Sequence, residues 1–298
     1  MKCTQCPRYC TVDRSSGELG FCRKGPLPEV AFAELHFWEE PCISGTGGSG
    51  AVFFSGCNLS CVFCQNYEIS QNGRFGRVHD IEALASIFLT LERRGAHNIN
   101  LVSPTQFSQK VAEAIELAKR IGVRVPFVYN SNGYESPETL ALMDGLIDVY
   151  LPDLKYFSDE LATKYSSAPS YFEHASRAII EMARQVGTPQ LDDHGIIQKG
   201  LIVRHLVLPG QIEDSKKILR WIKENLPRGT YVSLMAQYCP VNKAGDYSEI
   251  NRTLTREEYE EIVDVLYDLE LEDGYIQEMS SASDEFIPDF GLKRTNEA

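Results

Sequence analysis

From Ala51 onward, short apolar runs alternate with longer stretches in which apolar residues recur every three or four positions. The runs are AVFFSG (51–56), NINLVS (98–103), VPFVYN (125–130), LIDVYLPDLK (146–155), KGLIVRHLVLPG (199–210) and TYVSLMAQY (230–238). Short apolar runs bounded by Gly, Pro or polar residues read as buried strands. Between and after them lie amphipathic stretches at 81–95, 105–122, 136–145, 170–187, 212–227 and 255–270. In the second of these, Val111, Ile115, Ala118 and Ile121 fall on one helical face. Ser136 and Pro137 mark a helix start, and Gly95, Gly122 and Gly187 mark helix ends. Six strand-then-helix units in succession predict an α/β fold with a parallel sheet covered by helices. Six fall short of the eight that close a full barrel, so the expected architecture is a partial (β/α)6 barrel. Chemistry in such folds sits at the carboxyl ends of the strands.

Residues 1–45 show no such period. They carry Cys3, Cys6, Cys10, Cys22 and Cys42 among Pro7, Pro26, Pro28 and Pro41. A segment this short has no core of its own, so it reads as a small cysteine-rich appendage stapled by metal, with the barrel spanning 46–298. The apolar stretch around Leu151 is interrupted by Asp148 and Asp153, so no membrane span is expected. The amino-terminal MKCTQCPRYC lacks the apolar core of a secretory signal. A cytoplasmic location follows, and nine cysteines in a reducing compartment favour metal or redox chemistry over disulfides. The net charge of −13 argues against nucleic acid and anionic membrane surfaces as partners.

Cys57, Cys61 and Cys64 form C-x3-C-x2-C directly after the first strand of the barrel. Thiolates select zinc, Cu(I) or iron–sulfur clusters, and a structural zinc asks for four ligands. Three thiolates suit either a catalytic zinc or a cubane cluster whose fourth iron stays open to a small molecule. Three core cysteines that merely lie close are the bland alternative. Cys3-x2-Cys6-x3-Cys10-x11-Cys22 supplies four thiolates, enough for a closed second site of zinc, the first expectation, or iron–sulfur, with unligated thiols the remaining reading. Cys42 and Cys239 stand alone and read first as packed or incidental, with completion of a site the alternative for either. Lys155 and Arg204 lie in apolar strands and need an anion if they point inward; otherwise they are outward charges or structural partners of Asp153. His205 neighbours Arg204, so the two face opposite ways. GTGGSG (45–50) fits G-x-G-x-x-G but precedes a strand instead of following one, which makes it a turn. The acidic stretch 255–270 reads as a solvated helix face.

The triad with Phe63 just before its last cysteine resembles the signature of radical S-adenosylmethionine (SAM) enzymes, and the resemblance runs from about Ala51 to Tyr238. It implies a [4Fe-4S] cluster on Cys57, Cys61 and Cys64 whose open iron binds SAM. Reductive cleavage would then give methionine and a 5′-deoxyadenosyl radical that takes a hydrogen from substrate. Within that superfamily the chain resembles the pyruvate formate-lyase activating enzyme group. Asn66 matches a SAM-contacting asparagine, and YNSNGY (129–134) resembles that group's D-T-N-G, with Asn130 in place of the aspartate. LPDLKY (151–156) resembles L-D-L-K, which implies Asp153 near a cation and the SAM carboxylate and Lys155 reaching into the site. VRHLVLPG (203–210) resembles the fifth strand, which implies that Arg204 contacts SAM. Where the group carries G-G-E-P the chain has SPTQ (103–106), leaving hydroxyls and carbonyls around Ser103 and Thr105 to accept from an ammonium without a glutamate charge. The added cysteines precede the radical loop, whereas that group carries them after it. The implied reaction is glycyl-radical installation on a partner enzyme, fed by a flavodoxin- or ferredoxin-type electron donor. The alternatives are a radical SAM enzyme acting on another protein or a small molecule, and a non-catalytic metal-binding interaction protein.

Overall fold

The computed structural model describes residues 2–73 and 75–281. The chain enters its sheet with β1 (Glu29–His36), passes through α1 (Pro41–Ser44) to β2 (Ser49–Phe54), and continues past the cysteine loop to α2 (Tyr67–Ser70), β3 (Arg77–Val78) and α3 (Ile81–Arg93). Next come β4 (Ile99–Val102), α4 (Ser108–Ile121), β5 (Phe127–Ser131), α5 (Pro137–Met143), β6 (Val149–Pro152), α6 (Asp159–Ser166) and α7 (Tyr171–Val186). The last described part holds β7 (Gln190–Leu191), β8 (Ile197–Leu206), α8 (Ile212–Asn225), β9 (Tyr231–Met235), α9 (Arg256–Asp268) and β10 (Gly274–Ile276). The hydrogen-bonded order is β10-β9-β8-β6-β5-β4-β2-β1-β3, with β7 pairing on β8. Every neighbour pair from β2 through β10 along that path is parallel. The path runs from β10 to β3 without joining its ends, so the barrel is open, as the count of units predicts.

All six predicted strands form, because each buries side chains on both faces. Outward residues such as Ile99, Leu101, Phe127 and Tyr129 pack under α3 and α4, where Leu84, Phe88, Val111, Ile115 and Ala118 are buried. Burial of one such side chain stabilises the fold by roughly 1.5–3 kcal/mol. Ile121, predicted on the same face, is instead exposed, because α4 ends on it. Among the described residues no helix is long and apolar enough to cross a membrane.

The predicted boundary at residue 45 needs correction. β1 pairs antiparallel with β2 from Val30↔Phe54 to His36↔Ser49, so residues 29–36 belong to the sheet. α1 then places Cys42 and Ile43 inside the barrel against Val128, Val149, Leu151, Ile197 and Ile202, which makes Cys42 a packed core residue. Most side chains of β1 are only partly buried, so the strand lacks the continuous apolar run that marks the others.

Among the described residues ahead of β1 the regular structure is the bridge Lys2↔Asp13 and a short 3-10 turn at Arg14–Ser16, and two arginines fasten this segment to the barrel. Arg8 Nε donates to the Asn58 carbonyl at 2.9 Å, and Arg14 Nη1 donates to the Gln106 carbonyl at 2.6 Å.

Beyond β5 the chain buries an acid. Glu135 is 1% exposed and accepts from the Thr105 hydroxyl at 2.6 Å and, more distantly, from the Tyr129 hydroxyl. Burial raises its pKa from 4.5 to about 8. The folded chain therefore keeps this proton after the unfolded chain has lost it. The resulting stabilisation is complete below pH 4.5 and is lost as pH rises toward 8. Urea unfolding of wild type should show stability falling across that window by something of order 5 kcal/mol relative to Glu135→Gln, in which the slope is absent.

Candidate functional site

After β2 the chain turns at Gly56, where φ is +78°. A Cβ there would lie 2.6 Å from Lys24 Cγ and 2.8 Å from the Cys22 carbonyl oxygen, so only glycine lets the amino-terminal segment pack on this turn. The loop that follows brings Cys57, Cys61 and Cys64 to the edge of a cavity of ≈ 480 Å³ at the carboxyl ends of the parallel strands. Phe63, Asn66, Ser103, Asn130, Asp153, Lys155 and Arg204 line the same cavity. Gly133, in the YNSNGY segment, has φ +77°, and a Cβ on it would come within 2.3 Å of the Asp153 carbonyl. Its absence lets the ends of β5 and β6 close together.

Thr105 departs from expectation. The 3-10 turn Thr105–Phe107 carries its hydroxyl away from the cavity to Glu135, so it is not a lining residue. Gln106 also turns away, and its side-chain amide clamps the loop carbonyls of Ser55 and Gly56.

Each thiol of the triad meets a donor or hydroxyl. Cys57 Sγ accepts from the Leu59 amide at 3.4 Å and from Asn132 Nδ2 at 3.3 Å. The Ser166 hydroxyl donates to Cys61 Sγ at 3.0 Å, and the Ser70 hydroxyl lies 3.3 Å from Cys64 Sγ. Burial pushes the Cys57 thiol up to about 12 and Cys64 to about 11; it also raises Cys61, against the pull of Lys155. Unaided, these thiols stay protonated, and a bound metal is what makes them thiolates.

The two buried bases both face inward with carboxylate partners. Lys155 Nζ lies 2.6 Å from Asp153 Oδ2. Burial alone would lower the lysine's pKa, but Asp153 and the nearby Cys61 outweigh it and the net shift is upward. Arg204 pairs with Glu40 through Nε at 2.8 Å and Nη2 at 2.5 Å, and with Glu39 through Nη2. Burial opposes the charge of both Arg204 and Glu40, and their mutual attraction prevails, raising the arginine and lowering the glutamate. Glu39 also accepts from Asn100 Nδ2 at 2.8 Å and lies 3.5 Å from Asn130 Nδ2.

Sequence reasoning missed Glu39 and Glu40. They sit between β1 and α1, in the stretch assigned to the appendage, and carry no local signal of an approach to β8. Asn132 and Ser166, which support the thiols, were missed for the same reason. His205 faces away from Arg204, as expected of strand neighbours: its Nδ1 meets the Leu154 carbonyl at 2.7 Å and its Nε2 the Ser215 hydroxyl at 2.9 Å. Cys239, read as packed or incidental, lines the cavity.

The cavity fits SAM in charge and in polar lining. Three carboxylates, Glu39, Glu40 and Asp153, stand against two bases, Lys155 and Arg204. That balance complements a ligand whose ammonium and sulfonium outnumber its carboxylate. The buried Asn66 Oδ1 has no hydrogen-bond partner, leaving an acceptor for such a ligand.

An uncharacterized protein of Methanocaldococcus jannaschii is 32% identical over 283 residues, which cover 90% of this chain and 76% of that one. The crystal structure of Streptococcus suis SuiB matches with a TM-score of 0.51 at 13% identity, over 77% of this chain and 48% of SuiB, and so speaks to the fold alone. A domain of a pyruvate-formate lyase-activating enzyme from Bacteroides vulgatus overlaps at a TM-score of 0.42 and 14% identity, over 57% of this chain and 91% of that domain. The model of the Radical SAM superfamily matches residues 51–222, the span that carries the triad, the chain from within β2 through β8 and all but the last turn of α8. The chain belongs to the radical SAM superfamily.

Proposed function

We propose that the chain binds SAM at a [4Fe-4S] cluster held by Cys57, Cys61 and Cys64 and takes a hydrogen atom from a protein-borne group, in the first instance a glycine of a glycyl radical enzyme. One observation carries this reading: the three cysteine thiols and the unpartnered Asn66 oxygen converge on one cavity. The bound cofactors supply one-electron cleavage of SAM, with the electron arriving from a flavodoxin- or ferredoxin-type donor of the cytoplasm. The remaining work belongs to the chain. Asn66 accepts from the SAM ammonium, Lys155 offsets negative charge beside Cys61, and Asp153 holds that lysine in place. Arg204 is kept at the cavity wall by Glu39 and Glu40. Phe63, packed edge-on against Tyr238 with ring centroids 5.5 Å apart, excludes water next to the cluster.

A protein substrate is favoured over a small molecule by the rim. Trp38 and Ile276 line the cavity with 68% and 39% of their surfaces exposed. Apolar surface of this kind is what a docking partner covers.

Anaerobically reconstituted wild type should be brown and form 5′-deoxyadenosine only with a reductant, whereas Cys57→Ala, Cys61→Ala and Cys64→Ala together should abolish its formation. Incubation with a glycyl radical enzyme should give an organic-radical EPR signal on that partner, whose splitting collapses when the partner is grown on deuterated glycine. Cleavage of SAM with no radical on any such enzyme would leave the SAM chemistry standing and reject the glycyl step. Asn66→Ala separates binding from folding: the Asn66 oxygen has no partner to lose, so apo stability should hold. The KM for SAM should rise about tenfold or more, the value of a hydrogen bond to a charged group.

A further inference from the structure

The geometry points to Ser166, with Tyr156 behind it, as the pair that sets how readily the cluster on Cys57, Cys61 and Cys64 takes its electron. This rests on the reading of the triad given above and adds the side chains that tune it.

The pair reaches the triad through two hydrogen bonds in series. Ser166 Oγ lies 3.0 Å from Cys61 Sγ, closer than any donor described above lies to Cys57 or Cys64 Sγ. The Tyr156 hydroxyl in turn lies 2.7 Å from Ser166 Oγ. Both residues are fully buried. Counting protons fixes the direction of the chain. A metal-bound thiolate sulfur carries no proton and only accepts. The single hydroxyl proton of Ser166 therefore goes to Cys61, and the Tyr156 phenol donates to the serine oxygen. Hydrogen bonds in a chain polarise one another, so a hydroxyl that is itself donated to is the stronger donor.

The backbone ties this hydroxyl to the sulfur. Ser166 is the last residue of α6, and Ser167 beyond it turns the chain at φ 49°. The end of that helix lies alongside the radical loop: the Ser60 amide donates to the Ser166 carbonyl at 3.0 Å, and the Val62 amide to the Tyr165 carbonyl at 2.8 Å. These two bonds flank Cys61. Tyr156 comes just past β6, next to Lys155, and its ring packs edge-on against Tyr171 with centroids 5.5 Å apart. The described lining of the cavity includes neither Ser166 nor Tyr156, so both act from behind the sulfur.

Reduction moves one electron from the flavodoxin- or ferredoxin-type donor to the cluster, with no bond or proton exchanged. The added negative charge is shared by the ligand sulfurs. A donor to one of them stabilises the reduced state over the oxidised one and so raises the potential.

Redox titration of the reconstituted enzyme without SAM, followed by EPR of the reduced cluster, reads this effect. In Ser166→Ala the equilibrium constant for reduction should fall about tenfold, a midpoint about 59 mV more negative for a one-electron couple. Tyr156→Phe keeps the ring and removes only the hydroxyl, and should shift the midpoint the same way by less. The double variant should match Ser166→Ala, because the phenol works through the serine. Ser166→Thr should restore the wild-type midpoint, and iron and sulfide per chain should be equal in all of these. A Ser166→Ala midpoint equal to that of wild type would overturn the inference, as would a Tyr156→Phe shift that persists in the Ser166→Ala background. Should Ser166→Ala fail to fold or to take up its cluster, Tyr156→Phe decides alone, and an unchanged midpoint there overturns the inference. Wild type that takes up no cluster at all would reject the reading of the triad, and this inference with it.

Discussion

One buried amide holds the radical loop to the barrel. Gln106 Nε2 lies 3.0 Å from the Ser55 carbonyl, 3.0 Å from that of Gly56 and 2.9 Å from that of Ser103. These carbonyls lie just past the ends of β2 and β4, where the ladder no longer offers partners. A buried carbonyl left unpaired costs roughly 1–3 kcal/mol. With its two N–H bonds shared among these three carbonyls, Gln106 fixes where Cys57 begins relative to Ser103. Its own backbone carbonyl accepts from Arg14, so the cysteine-rich segment is anchored at the same point. The triad, the strand ends and the amino-terminal quartet thereby share one reference position.

The charges of the cavity follow a similar economy. The resemblance to activating enzymes places an acid at the end of the second barrel strand and another in the third, and this chain has neither, with SPTQ and Asn130 at those positions. Negative charge comes instead from Glu39 and Glu40, brought across the barrel mouth from the linker after β1 to Arg204 on β8. A buried guanidinium facing two carboxylates is tolerable because its desolvation is offset by bidentate geometry. One acid remains in excess, and an adjoining cationic ligand can use it. A pocket can keep its overall charge while the residues that supply it change elements.

Much of this was legible in the sequence, for identifiable reasons. Strands and helices that bury a continuous face announce themselves by period, and 81–95 and 212–227 correspond to α3 and α8 within two residues. The triad, Lys155 and Arg204 could be found because their types are anomalous where they stand, thiols at a strand end and bare charges in apolar strands, whereas Asn66 came only from the resemblance. β1 was hidden because an edge strand with half-buried side chains has little period. Glu39, Glu40, Asn132 and Ser166 act through approaches across the fold, and an ordinary polar residue in a loop gives no sign of that. Thr105 was misplaced because matching SPTQ to a cavity-lining segment assumes the same backbone path, whereas a 3-10 turn sends Thr105 and Gln106 outward.

The account rests on an open iron at the Cys57–Cys64 loop that takes SAM directly. Electron–nuclear double resonance on the reduced enzyme, with isotopic labels in the amino and carboxylate groups of SAM, tests this most directly. Hyperfine coupling of both labels to the cluster is the expected result. A reduced cluster that shows no coupling to either label at saturating SAM would contradict it.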